Sequence, residues 1–307
     1  MKFYIAKLLY NLIRVSKHFV FLNFLTKKIV SLKSKLVIDY LKCQYPLEEL
    51  THIKPSANIS NITFDSIPVW VCWFQGYEKS PAIVKACIKS IQKNLPGYKI
   101  NLITIDNFKL FVDIPDVIID KFNKGYITRT HFSDILRFYL LYTHGGLWLD
   151  ATIYLSAVPD IDFNRDFFTL SSNVYGIDSF TKGRWSSSFL YCKKNSFLAQ
   201  IMMVFLTKYW KENNEIIDYF LMDYYFLYLY ENNRYFCYNI NNHPRNGDHR
   251  FLLSNIIFNR VNEEGDFQLS EDSNKIYKLT YKISSKKKIH SDSYYAKITQ
   301  FTKQDLK

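Results

Sequence analysis

From Ile67 onward, short β-branched and aromatic runs alternate with longer stretches whose apolar residues recur at helical spacing. IPVWVCWF, Ile67 to Phe74, is entered through Pro68 and ends at Gln75-Gly76, which predicts a buried first strand and a turn. In Ser80 to Asn94, with Pro81 at the first helical position, Ile83, Val84, Cys87, Ile88 and Ile91 follow a helical period until Pro96-Gly97 breaks it. Lys99 to Ile105 predicts a second strand, and Asp113 to Phe122 a short helix around Pro115. Ser133 to Tyr142, apolar at six of its positions, predicts a largely buried helix that Gly145 and Gly146 end. LWLDATIY, Leu147 to Tyr154, follows as one strand. Its period of two sends Leu147, Leu149, Ala151 and Ile153 to one side and Trp148, Asp150 and Thr152 to the other. Strand, helix, strand, helix, strand predicts an α/β fold with a parallel sheet and crossover helices, a nucleotide-binding architecture in general.

Downstream, Phe167 to Leu170 and Ser186 to Cys192 read as strands, Ser196 to Glu231 as a long helical stretch, and Ile276 to Lys282 as a strand with Lys278, Thr280 and Lys282 on one side. Asp218 and Asp223 lie in the aromatic helical stretch, either as tyrosine hydrogen-bond partners or as site residues. The basic cluster HPRNGDHR, residues 243–250, fits a solvated loop better than a phosphate clamp. Residues 286–307, which open on three lysines, read as a loose basic tail.

The first 42 residues mix Phe, Leu and Ile with Lys2, Lys7, Arg14, Lys17, Lys27, Lys28, Lys33 and Lys35. Their longest uncharged run falls well short of the ~20 apolar residues needed to span a bilayer. Lysines inside the apolar stretch, with no small-residue cleavage site after it, also argue against a signal peptide. The pattern fits one or two basic amphipathic helices on an anionic membrane face, or a helical arm packed on the protein's own core or on a second subunit. Residues 43–66 read as a connection into the main domain, which spans 67–285.

Composition narrows the classes. Hydrophobic residues make up 48% of the 307, and aromatic residues 18%, enough to exclude a disordered chain. A net charge of +12 favours anionic partners, yet no RNA-binding, zinc-finger or helix-turn-helix pattern supports nucleic acid. Five scattered cysteines without a CxxC pair read as reduced thiols filling apolar positions. The P-loop and GxGxxG signatures are absent, so bound phosphates would be held by a metal and basic side chains.

Candidate chemistry concentrates in HFSDILRFYLLYTHGGLWLDATIYLS, residues 131–156. Asp134 and Arg137 sit three apart on one helix face, either as a structural ion pair or as part of a site. An acid at a strand end just after them, Asp150, would complete a place for a diphosphate and its metal ion.

That segment is similar to the core motif of the bacterial capsular polysaccharide synthesis glycosyltransferases, relatives of the glycosyltransferases with a DXD sugar-binding motif. The similarity runs from Ile67 to about Lys282 and includes IPVWVCWFQG, PAIVKACIKSIQKNLPGY, KYWKENNEIIDYF and YKLTYK. It implies a GT-A-type, Rossmann-like mixed sheet flanked by helices. It also implies transfer, with retention, of a sugar from a nucleotide-diphosphate sugar, most readily a UDP-sugar, to a glycan or lipid-linked acceptor. The implied setting is cytoplasmic, peripheral on the inner face of the membrane. By the same resemblance Asp134 and Arg137 hold the donor sugar. The acid matching Asp150 belongs to the metal and diphosphate site, with Thr152 beside it as a weak ligand for manganese or magnesium. The charge that builds on the leaving diphosphate adds Lys278 and Lys282 as candidates to meet it, and Trp73, Gln75, Gly76 and Trp148 are candidates for the nucleotide. Asp223 is a candidate catalytic carboxylate. Thr152 stands where the wider relatives carry a second acid, and a hydroxyl is a poor substitute on a hard cation. That substitution opens the alternative of a degenerate transferase acting as a membrane-associated glycan- or partner-binding module.

Overall fold

The computed structural model of the protein describes residues 2–16, 22–52, 66–244, 246–261, 275–284 and 289–300. Three helices lead, α1 (Lys2–Ser16), α2 (Asn23–Gln44) and α3 (Leu47–His52). Next come β1 (Pro68–Cys72), α4 (Ala82–Asn94), β2 (Lys99–Ile103), α5 (Asp116–Asn123), α6 (Arg129–His144) and β3 (Gly146–Asp150). The chain continues through β4 (Ile153–Leu155), β5 (Phe167–Thr169), β6 (Phe189–Cys192), α7 (Phe197–Glu212) and α8 (Leu221–Asn232). Short elements close it: α9 (Arg234–Asn241), α10 (Leu252–Ile256), β7 (Ile276–Lys278) and α11 (Tyr294–Thr299).

The main sheet has five strands in the order β2-β1-β3-β6-β5. β2, β1 and β3 are parallel, as the alternation of elements predicts, whereas β6 and β5 are antiparallel, which makes the sheet mixed. One face carries Trp70 and Trp148 into a core with α6, α7 and α8; the other carries Val69, Val71, Leu147 and Leu149 against α4. The chain crosses from β1 outward to β2, then back past β1 to β3. The carboxyl ends of β1 and β3, where Cys72 faces Asp150, are therefore the topological switch point, where open α/β sheets bind ligands.

Local chemistry fixes the helix leading to that point. Thr128 caps α6, its hydroxyl accepting the amide N–H of His131 at 3.3 Å. Gly145 ends it with a φ of 70°, and a β-carbon there would lie 2.6 Å from the backbone nitrogen of Lys194. Gly146 belongs to β3 instead of the helix end. It too has positive φ, and a side chain on it would collide with the Pro68 carbonyl.

Several expectations change. Residues 147–154 are two strands, because the chain turns at Ala151-Thr152 and β4 leaves the main sheet to pair antiparallel with β7. The inward period nevertheless survives the turn: Leu147, Leu149, Ala151 and Ile153 share one cluster. The strand expected over Ile276 to Lys282 stops at Lys278, where the Leu279 amide turns to donate to the Thr152 carbonyl. The stretch from Ser196 to Glu231 is α7 and α8 with a break between them. Side chains satisfy the backbone of that break: the Tyr209 hydroxyl accepts Ile217 N–H, and the Asp218 carboxylate accepts Phe220 N–H. Within the expected loose tail, α11 packs on α4 and buries Tyr294 and Tyr295; the lysines at 286–288 lie outside the described residues. Pro81 stands at the N-cap of α4, one place before the first helical turn. Finally, the basic arm packs on the protein's own core, since Ala6, Val37, Ile38 and Leu41 join the cluster that holds α6, α7 and α8.

Candidate functional site

A cleft of about 720 Å³ opens at the carboxyl ends of β1 and β3 and is walled by α6, the start of α8 and the segment after β7. A second cavity of about 690 Å³ adjoins it and shares Phe74, Gln75 and Arg129. Asp134, Arg137, Trp148, Asp150, Thr152, Asp223, Trp73, Gln75, Lys278 and Lys282 all line the cleft. Gly76 does not; its amide closes the turn after β1 on the Trp73 carbonyl at 2.9 Å. Asp218 lies behind the wall in a buried ion pair with Lys33.

Asp150 is the centre of a cation-bridged cluster. One carboxylate oxygen accepts the Trp148 indole N–H at 3.0 Å and an Arg137 N–H at 3.4 Å. The other accepts from the Lys278 ammonium at 2.6 Å, and that ammonium also donates to the Thr152 hydroxyl at 2.8 Å. Arg137 reaches Asp134 at 3.1 Å, as the i, i+3 spacing predicts, and its guanidinium lies 4.7 Å from the Trp148 ring centre. Its side chain is only 4% exposed, and Trp148 only 1%. Both therefore sit buried at the cleft wall, where they hydrogen-bond or pair with the carboxylates beside them. Asp223 accepts the Trp185 indole N–H at 2.9 Å.

The three carboxyls are set apart electrostatically. Burial pushes Asp134 up to about 7 against the pull of Arg137, with Asp150 and Asp223 adding to the rise. Burial likewise raises Asp223 to about 6, opposed by the Trp185 hydrogen bond and by Arg137. Burial acts on Asp150 too, but Lys278 and Arg137 together outweigh it and hold that carboxyl below the usual range. Two cations against one explain why Asp150 is held low while Asp134, sharing only Arg137, is raised. Cys72 also lines the cleft, and burial drives its thiol pKa far up, so it offers no thiolate nucleophile.

A divalent cation held by one carboxylate, waters and a ligand's phosphates would have to displace donors already in place, because both Asp150 oxygens and the Thr152 hydroxyl serve cationic or indole donors.

The sequence reasoning missed Arg129, Arg250, Trp185, Tyr219 and Tyr281, all on the cleft wall. Arg250 belongs to the cluster expected to be a solvated loop. Its carbonyl instead accepts the Lys278 amide at 2.6 Å, so that loop is stitched to β7 beside Asp150. Tyr281 meets Trp73 edge to face at 5.1 Å and forms a lip over the cleft. Arg129 was within reach, since it leads α6 at helical spacing with Ser133 and Arg137, whereas Arg250, Trp185, Tyr219 and Tyr281 reach the cleft from loops that no local pattern announces.

Fold and site together define a mixed α/β protein with a paired acid and base cluster at its switch point. The family model for capsular polysaccharide synthesis proteins matches residues 18–298, and the chain belongs to that family. No curated protein and no solved structure matches it.

Proposed function

We propose that the protein is a glycosyltransferase of capsule synthesis with a GT-A-type fold, moving a sugar from a nucleoside-diphosphate donor to a glycan or lipid-linked acceptor. The observation that carries this reading is the cluster at the carboxyl ends of β1 and β3: ionised Asp150 bridged by Lys278, with Asp134, Arg137 and Asp223 on the same wall. Breaking a sugar–phosphate bond builds positive charge at the anomeric carbon and negative charge on the leaving diphosphate. A site for it therefore needs carboxylates near the ring and cations near the phosphates. Asp134 offers its carboxyl to sugar hydroxyls, Arg137 holds that carboxyl in place, and Asp223 lies at the reacting face. Lys278 and Lys282 supply positive charge for the diphosphate. Gln75, shared by the two cavities, and Trp73 on the wall of the first would meet the nucleoside. Retention of configuration is the expected outcome.

Incubation of the purified protein with UDP- and GDP-sugars, read as donor hydrolysis or transfer, tests the proposal. Asp150→Asn should lower turnover by about 100-fold or more with the circular dichroism spectrum unchanged. Full activity in that variant sinks the assignment. Nucleotide binding without any turnover by the wild type would replace the enzyme by a binding module.

The reading extends to location. No helix among the described residues is long and apolar enough to cross a membrane. We place the protein on the inner membrane face through the outward side of α1 and α2, where exposed Tyr4, Leu8, Phe24 and Leu32 are interleaved with lysines.

A further inference from the structure

We infer that the cation stabilising the leaving diphosphate is the ammonium of Lys278, held where a divalent ion would otherwise bridge Asp150 and Thr152. This rests on the glycosyltransferase reading above and deepens it. Lys278 spans both side chains at once, 2.6 Å from the Asp150 carboxylate and 2.8 Å from the Thr152 hydroxyl.

The sheet builds this contact in. Lys278 pairs with Ile153 across β4 and β7, and its amide donates to the Arg250 carbonyl at 2.6 Å. The backbone thus aims the side chain at the turn that carries Thr152. The Lys278 side chain is 25% exposed and lines the cleft, so its ammonium can meet a ligand beside its present partners.

Charge balance agrees with the replacement. With Thr152 in place of a second acid, Asp134 and Asp150 face Arg137 and Lys278, and two carboxylates with two side-chain cations sum to no net charge that a dication would have to offset. Of the other two carboxyls on this wall, Asp134 is paired with Arg137 at 3.1 Å and Asp223 accepts the Trp185 indole N–H at 2.9 Å. Lys282 and Arg250 line the same cleft and can meet the second phosphate.

In the reaction the acceptor hydroxyl oxygen forms a bond to the anomeric carbon while the bond from that carbon to the phosphate oxygen breaks. The electron pair stays on the phosphate oxygen, and the hydroxyl proton passes to the departing diphosphate. Lys278 remains protonated throughout and pairs with the charge that appears.

The test is calorimetric binding of UDP and GDP to the full chain, with EDTA or with added manganese, beside donor turnover. Affinity for the preferred nucleotide should change by less than about twofold between the two conditions. Lys278→Ala should weaken it by about 10- to 100-fold, the worth of a charge-assisted contact, and Lys278→Arg should restore part of the loss. Binding of manganese alone should leave no saturable site in the wild type. In the double variant T152D/K278A, nucleotide affinity should become manganese-dependent. A wild type that binds UDP or GDP only with manganese, or a stoichiometric manganese site lost in Asp150→Asn, overturns the inference while leaving the transferase reading intact. Failure to bind or turn over any nucleotide under either condition overturns both.

Discussion

Asp134 and Asp223 carry the cleft's pH dependence, because burial lifts their carboxyls to about 7 and about 6. The linkage runs in two directions. An acid raised above its unfolded value stabilises the folded state below the unfolded pKa, and that contribution is lost as pH rises through the folded one. Between about pH 4 and pH 7 these two acids should therefore lower the stability of the fold as pH increases. Turnover should move oppositely, because ionised carboxylates favour positive charge on the sugar. Donor turnover rising from pH 5 to 8 while the melting temperature falls is the expected pair of profiles, and Asp223→Asn should flatten the lower part of both. Because buried His131 and His243, whose pKa values burial lowers, oppose this trend in the same range, the decisive comparison is with Asp223→Asn, and a melting profile unchanged by that substitution would contradict the buried placement of Asp223. Asp134, Arg137 and Asp150 were legible in the sequence because one helical turn and one strand end bring them together. Lys278 was legible as a basic residue near phosphate, but not as the partner of Asp150. That contact spans 128 positions and depends on β4 leaving the main sheet.

Between elements, the same logic of one residue joining distant pieces governs the arm. Lys33 on α2 donates to Asp218 at 2.7 Å, with both side chains at 5% exposure or less. Its ammonium lies 5.1 Å from the Tyr10 ring centre on α1 and 5.5 Å from that of Tyr224 on α8. One lysine thus ties two arm helices to the break between α7 and α8, next to cleft residues Tyr219 and Asp223. Removing one partner strands a buried charge, so Lys33→Met alone should cost about 3–5 kcal/mol in urea unfolding, and Asp218→Asn alone a similar amount. The double replacement should cost markedly less than the sum of the two. Additive losses would show that the ion pair is not coupled. The helices themselves were visible from their apolar spacing. The break at 213–220 was not, because Tyr209 and Asp218 satisfy its backbone and no glycine or proline marks it.

At the scale of the whole molecule, the arm divides its apolar residues between two faces, and this determines how membrane attachment can be tested. On α1, Ala6, Leu9 and Ile13 are buried, while Tyr4, Leu8, Leu12 and Val15 form a stripe on another side, with Leu8 60% and Val15 59% exposed. On α2, Phe24 is 70% and Leu32 57% exposed, with Lys28 and Lys35 on the same face; the Lys28 ammonium lies 4.4 Å from the Phe24 ring centre. The sequence pattern left the membrane and the protein core as alternatives; the core takes one stripe of these helices and leaves the other exposed. Deleting the arm would remove Val37, Ile38 and Leu41 from the core and confuse unfolding with release. Charging only the outer stripe avoids this. Each large apolar side chain that enters a bilayer contributes about 1.5–3 kcal/mol, and each lysine near an anionic surface about 1 kcal/mol. The triple variant L8E/V15E/F24E should therefore keep the wild-type melting temperature and nucleotide affinity, yet lose sedimentation with phosphatidylserine vesicles. Wild-type binding should itself weaken as salt rises, since its lysine share is screened. A triple variant that still sediments with the vesicles refutes the arm as the anchor. A wild type that ignores vesicles but forms a dimer which the same substitutions dissociate would assign the outer stripe to a second copy of the chain.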